Sequence, residues 1–409
     1  MAISHATPPC HTSTVRVLDI QSDWDLHEAD ESFWVSAIDR PVLHDADPLR
    51  DSAAMAGATT GAPTPVYKDT NRAGPLYHIA SQTPTRLTLM DMEGAKAMTF
   101  LSPTAEVGMD SQLFCARASA DGAFLGVGGA NGAFHATHVP TGQRIELKGH
   151  VGDVTTVDFF PSSRVALTGS ADFRLRIWSM EAFRCAAVLQ GHVGAVTGTG
   201  ILGKGRNVVS CASDAQLSLW NVGTSERLSV WTLASPATSL CVWTNALLTT
   251  SRSARHPLES ETDGKVVFVG TEAHGAQGID LRALEPVLML PSAAAVSATA
   301  MHPAREHTVL IGNDHGVVST FDLRRPTSAL TMVSRSDAAV HDLYTSNDGD
   351  VWAATGDGAC TKWTDVATAP VVDTELFGPT YDAVHGVAGH GNTMYTVSRD
   401  RVLRTYTLD

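Results

Sequence analysis

The chain has 409 residues, 43% of them apolar, with 29 Lys and Arg against 43 Asp and Glu for a formal charge of −14. That is enough chain for one large or two ordinary domains with a sizeable core. The acid surplus argues against nucleic-acid binding and favours a basic partner or plain solubility; with no run of eighteen apolar residues, no membrane span is expected.

The opening stretch MAISHATPPC lacks the charged-then-apolar pattern of a signal peptide. The cysteines Cys10, Cys115, Cys185, Cys211, Cys241 and Cys360 are scattered, with no CxxC pair. They read as reduced thiols of an intracellular protein, cytoplasmic with the nucleus as a second compartment. No close ligand spacing suggests a metal, and no cofactor is expected.

In chain order, residues 15–24 (VRVLDIQSDW) read as a strand and turn. Residues 26–38 read as a short helix, with Leu26, Ala29, Phe33, Trp34, Ala37 and Ile38 on one face. The stretch 51–65 is poor in bulky apolar residues and reads as a disordered linker, and 66–91 as a few strands leaning on the repetitive remainder of the chain. These segments make up an N-terminal extension over 1–95.

From residue 96 onwards the chain is repetitive. LTGSADFRLRIW (167–178) and VSCASDAQLSLW (209–220) each place Asp six residues before Trp and a hydroxyl residue ten before it, and each lies downstream of a Gly-His pair. His150 to His192, Asp172 to Asp214 and Trp178 to Trp220 are all steps of 42. A period near forty with Gly-His at one end and an aromatic at the other resembles the WD-repeat family, whose unit is a four-stranded propeller blade. Weaker copies put Thr137, Ile279, Phe321, Trp363 and Tyr406 at the aromatic position; Asn131, Asp357 and Asp400 stand six before theirs, while Ala273 stands where Asp would before Ile279. The steps are 41, 42, 59, 42, 42 and 43, the long one holding a polar insertion around 251–264 that should be a surface loop. The expected fold is therefore all-β: a seven-bladed WD-repeat β-propeller over 96–409 with a small N-terminal extension. The sequence stops just after the third strand of the last blade, so the fourth is expected from 96–103 (KAMTFLSP), avoiding an open sheet edge.

A Thr/Ser-His-Asp set would also suit a hydrolase. Because the set occurs twice at one period, His150, Thr168, Asp172, Trp178 and their copies His192, Ser210, Asp214, Trp220 read as structural hydrogen-bond chains, not as a catalytic centre. No catalytic residue is assigned. The glycine-rich GVGGANG (126–132) falls on a strand and hairpin instead of a strand-to-helix turn, so phosphate binding is not expected. HGVAGH (385–390) reads as a strand ending in a turn. GKGR (203–206) and RDRVLR (399–404) read as solvated blade loops.

IQSDW (20–24), KGHVGDVTTVDFFPS (148–162), GKGRNVVS (203–210) and YTVSRDRVLRTYTLD (395–409) resemble, in order along most of the chain, the proteasomal ATPase-associated factors. Residues 25–85 match poorly, and Asn221 replaces the usual Asp after Trp220. The resemblance implies a non-catalytic WD-repeat chaperone of proteasome regulatory-particle assembly, monomeric on its own, that holds the C-terminal domain of a proteasomal ATPase subunit. On a −14 ring, acidic loop residues suit a basic partner domain: Asp153, Glu272, Asp314, Asp337 and Asp357. The alternative is a substrate receptor of a cullin-type ubiquitin ligase, because FDLR (321–324) and IDLR (279–282) resemble the ending with which such receptors meet their adaptor.

Overall fold

The computed structural model describes residues 11–21, 24, 32–67, 76–91, 96–244, 253–273, 275–283, 286–379 and 382–408. Over them, the forty-residue period becomes seven antiparallel four-stranded sheets arranged as the blades of a WD-repeat β-propeller. Within a blade the strands run a, b, c, d from the centre outwards. Blade 1 begins with Leu113–Ala118, blade 2 with Val154–Phe159, blade 3 with Val196–Leu202, blade 4 with Ala237–Thr244, blade 5 with Val296–Met301, blade 6 with Val340–Thr345 and blade 7 with Val384–His390. Each of these a strands packs against the next around a central channel.

Blade-to-blade packing repeats a small-against-branched theme. A Cβ on Gly169 would lie 2.5 Å from Cγ1 of Val196, and one on Gly270 or Gly312 2.6 Å from Cγ1 of Val296 or Val340. In these three blades strand b omits a side chain where the next blade opens on valine. Blade 3 carries Cys211 at this position, and there the next blade opens on the smaller Ala237. At these four joints a larger residue on one side meets a smaller one on the other, as close packing requires. Hydroxyls add a second joint: Thr155 donates to the Val196 carbonyl at 2.5 Å and Thr197 to Ala237 at 2.9 Å, with Thr238 and Ser297 donating to Val296 and Val340.

Ring closure differs from the expectation in detail. The outer strand of blade 7 is Ala105–Gly108, antiparallel to Val402–Thr407, and not 96–103. Lys96–Leu101 instead lies parallel to Val371–Leu376, the outer strand of blade 6. Its alternate residues Met98 and Phe100 are fully buried there, whereas all four residues of the closing strand are exposed. A four-residue strand that buries neither face leaves too short a pattern to read.

The N-terminal segments extend two blades outwards. Tyr77–Thr83 and Arg86–Asp91 continue blade 6 beyond Lys96–Leu101, and Ser32–Ala46 followed by His11–Ile20 continues blade 5. The helix expected over 26–38 is not formed where described: residues 32–38 are strand, with Phe33 and Val35 buried and Trp34 exposed. A short apolar run fits both periods, and pairing with His11–Ile20 over ten registered residues decides for the sheet. Residues 26–31 lie outside the described residues. The linker expected to be disordered over 51–65 is also ordered. It forms helix Pro48–Asp51, a 3-10 turn Ser52–Ala56, and strands Thr59–Thr60 and Thr64–Tyr67 on the edge of Ser32–Ala46. Met55 and Val66 are its buried anchors. The added strands and blades 5 and 6 share one core, from Val17, Phe33, Leu89 and Phe100 to Leu310 and Trp363.

Candidate functional site

Antiparallel topology sorts the loops. The interblade links and the b–c turns emerge at one end of the ring, called here the linker end, and the a–b and c–d turns at the other. All five acids singled out by sequence, Asp153, Glu272, Asp314, Asp337 and Asp357, therefore stand at the linker end.

Two hydrogen-bonded tetrads underlie that end. His150 Nδ1 lies 2.9 Å from Asp172 Oδ2, His150 Nε2 2.8 Å from Thr168 Oγ1, and the Trp178 indole donates to the same hydroxyl at 2.8 Å. The carboxylate only accepts, so the proton sits on Nδ1 and Thr168 donates to Nε2. His192, Asp214, Ser210 and Trp220 repeat the chain at 2.9, 2.8 and 2.8 Å. Burial pushes both imidazoles below their ordinary range, against the pull of the Asp partners. Burial would raise the Asp172 carboxyl, but the His150 bond with the Val151 and Arg174 amides holds it low. Every hydroxyl, ring nitrogen and indole is engaged within the blade, so Thr168 and Ser210 are network members rather than poised nucleophiles. In blades 4 and 5 the aromatic place holds Ile279 and Phe321, which have no indole to satisfy, and the place ten residues earlier holds Val269 and Ile311, which have no hydroxyl.

The acids differ in freedom. Asp153 accepts from the Asn131 amide at 2.9 Å. Asp337 is 2.8 Å from Arg40 of the outer strand Ser32–Ala46, and its own side chain remains largely in solvent. Asp357 is bound into a cluster the sequence did not disclose: Arg335 lies 2.8 Å from Asp357, 2.8 Å from Glu375 and 3.8 Å from Asp19. Burial raises Glu375, with Arg335 opposing; burial would raise Asp357 too, but Arg335 and the Thr355 hydroxyl hold it below its usual range. Glu272 and Asp314 are exposed. As a set, then, Glu272, Asp314 and Asp337 face outwards, Asp153 does so in part, and Asp357 serves the fold.

The central channel carries a further polar group. Arg117 is 3.1 Å from Asp342 and 4.0 Å from Asp158, whose carboxyl is pushed up to about 6 by burial, with Arg117 and the Thr199 hydroxyl opposing. At the place of the interblade hydroxyls, blades 6, 7 and 1 have His341, His385 and Phe114, with His341 tilted against His385 at a ring separation of 4.6 Å and Phe114 edge-on to it at 5.9 Å. His385 thus meets His341; His390, at the far end of the same strand, packs by Gly122. Burial pushes the thiols of Cys115, Cys211 and Cys241 up to about 12, so none is a reactive thiolate. Among the described residues no cluster of three or more His, Cys, Asp or Glu has metal-binding geometry.

At the opposite end, the insertion seats on blade 3. Asn207 donates to the Leu258 and Trp220 carbonyls and accepts from the Ser260 amide, while Arg255 lies over the Trp231 ring. The motifs of the alternative reading are here too: Arg282 is tied to Asp263 of the insertion and Arg324 to its own Asp322.

Comparison with known proteins agrees with this architecture. The WD domain, G-beta repeat, family matches residues 142–179 and 183–221, the two tetrad blades. The probable proteasomal ATPase-associated factor 1 of Dictyostelium discoideum is 34% identical over 307 residues, covering 69% of this chain and 71% of that protein. Proteasomal ATPase-associated factor 1 of Gallus gallus is 29% identical over 42% of this chain and 44% of its own length, and that of Homo sapiens 28% over 37% and 38%. With its propeller, its paired tetrads and this likeness over two thirds of both chains, the protein belongs to the proteasomal ATPase-associated factor 1 family.

Proposed function

We propose that this protein is a non-catalytic chaperone of proteasome regulatory-particle assembly, and that it holds the C-terminal domain of a proteasomal ATPase subunit against the linker end of its ring. Beyond the family, one observation carries the reading: all five acids singled out by sequence stand on the linker end, and Glu272 and Asp314 are exposed there. The linker end exposes Asp110, Glu146, Glu272, Asp314 and Asp337, beside Lys148, Arg174, Arg399 and Arg401. The opposite end mixes Arg164, Lys204, Arg206, Arg305, Arg324 and Arg325 with Asp121, Glu181, Glu226, Asp263, Glu306, Asp348 and Asp365. Exposed acids on a rigid face suit contact with basic groups of a partner domain, and such contact is salt-sensitive because exposed charges are screened beyond about 8 Å at physiological ionic strength. The protein works as a monomer in the cytoplasm and nucleus in this reading.

The test is a pull-down with isolated C-terminal domains of the proteasomal ATPase subunits. One clear binder is expected, with association slowed by salt and weakened by Glu272→Lys and Asp314→Lys at an unchanged melting temperature. Failure of a folded ring to bind any of them overturns the assignment.

A further inference from the structure

The tetrads hold up an apolar feature at the same end. In the two loops that supply the tetrad histidines, the next residue is a valine whose amide is bound by the tetrad aspartate: Val151 N–H to Asp172 at 3.2 Å and Val193 N–H to Asp214 at 2.9 Å. The backbone is fixed, yet the side chains point outwards, 81% and 74% exposed. At the corresponding place the other described links carry Asp110, Ala234, Ala293 and Asp337, none of them a large apolar residue.

Phe173 is the third member. It follows Asp172 on the b–c turn of blade 2 and is 45% exposed, with φ at +68°. Every described residue at this place in the ring is left-handed: Gly132, Ala215, Gly316, Gly358 and Arg401. Glycine takes that conformation without strain; a phenylalanine does not. Here, then, is an aromatic side chain that gains little burial and stands on a backbone made for glycine. The turn leads into the link that carries Val193, because its next residue, Arg174, pairs with Gln190. Strain retained at an exposed position points towards function.

Resting on the binding role proposed above, we infer that Val151, Phe173 and Val193 form the apolar centre of the partner contact, at blades 2 and 3. The occupant is the partner domain's surface, presenting an aliphatic or aromatic cluster inside a rim of both charges. The apolar cluster meets the valines and Phe173, and the charged rim meets Asp153, Lys148 and Arg174, which adjoin them in the chain. This is the anatomy of a protein interface, with a dry anchor inside a charged rim.

The test uses the full chain, with the ATPase C-terminal domain that the pull-down identifies as probe, and reads melting temperature and Kd for each variant. Phe173→Gly is expected to raise the melting temperature, since strain is relieved, and to weaken binding at least tenfold. Phe173→Tyr should keep binding within threefold, and Val151→Ser with Val193→Ser should weaken it tenfold without altering the melt. Wild-type binding should retain a component at 0.5 M salt that Phe173→Gly lacks. If Phe173→Gly binds as wild type while Asp314→Lys weakens binding, the apolar centre is refuted and the acidic-face reading stands. If Phe173→Gly lowers the melting temperature, the strain argument is refuted. If wild type captures no C-terminal domain, both fall together.

Discussion

His385 stacks on His341 with ring centroids 4.6 Å apart, at the joint between blades 7 and 6 where other blades use a hydroxyl bonded to the next backbone. Burial, His341 and Arg399 push His385 down to about 4; burial and Arg399 lower His341, with Asp342 opposing. The folded pKa lies below the unfolded value near 6.5, so below that pH the unfolded chain binds protons the ring refuses. Stability from this pair is complete above about pH 6.5 and is lost as pH falls towards about 4. The tetrad imidazoles, also lowered, act in the same direction, whereas Asp158, raised to about 6, partly offsets them. Urea midpoints should fall steadily from pH 7.5 to 5. His385→Phe should flatten that fall by about 1–2 kcal/mol, a figure discounted for partial exposure.

Removing Asp172 leaves His150 Nδ1 and the Val151 amide without their acceptor. Asp172→Ala should cost about 1–3 kcal/mol, and Asp214→Ala a similar amount, since the copies match in geometry. Trp178→Phe removes one indole bond and should cost less, about 1 kcal/mol, apart from any lost packing. Urea denaturation of the three variants checks the order.

Closure hangs on a strand with little packing of its own. Met109 N–H donates to the Arg401 carbonyl at 2.7 Å, so antiparallel alternation assigns the Val107 amide to Leu403, its registered partner. Val107→Pro should remove that bond and lower stability by about 3 kcal/mol, whereas Val107→Thr, at an exposed side-chain position, should be near neutral. Hydrogen exchange should show the Pro variant opening first in blade 7.

The insertion depends on one buried amide. Asn207→Ala deletes its bonds to Trp220, Leu258 and Ser260, and should release residues 253–264 to limited proteolysis while the far blades keep their protection. Cleavage at an unchanged rate would show that the loop is held by other contacts.

The tetrads were legible because each needs its members at fixed spacings, which a twofold copy exposes. The acidic loops were legible as loops. Their partners were not: Arg40 and Asp337 lie 297 residues apart, and Arg335 gathers Asp19, Asp357 and Glu375 from three elements. Residues 32–38 misled for the same reason, since their strand exists by pairing with His11–Ile20, Thr59–Thr60 and Thr64–Tyr67. Ala105–Gly108 buries neither face, so no core pattern marked it. Phe173 was visible as a letter, but its left-handed backbone was not.

The pairing of Ala105–Gly108 with Val402–Thr407 also sets a schedule for biosynthesis. Glu106 reaches Arg404 across 298 residues of chain, so the first-made closing strand emerges from the ribosome long before its partner exists. His11–Ile20, Ser32–Ala46 and Lys96–Leu101 wait in the same way for blades 5 and 6. Blades 2 and 3, each a local hairpin stack pinned by a tetrad, are able to form during synthesis, while the N-terminal strands, though able to pair among themselves, keep an edge open for blades 5, 6 and 7. An early-synthesised segment that folds last makes this protein, itself proposed to attend assembly, a demanding client for nascent-chain protection.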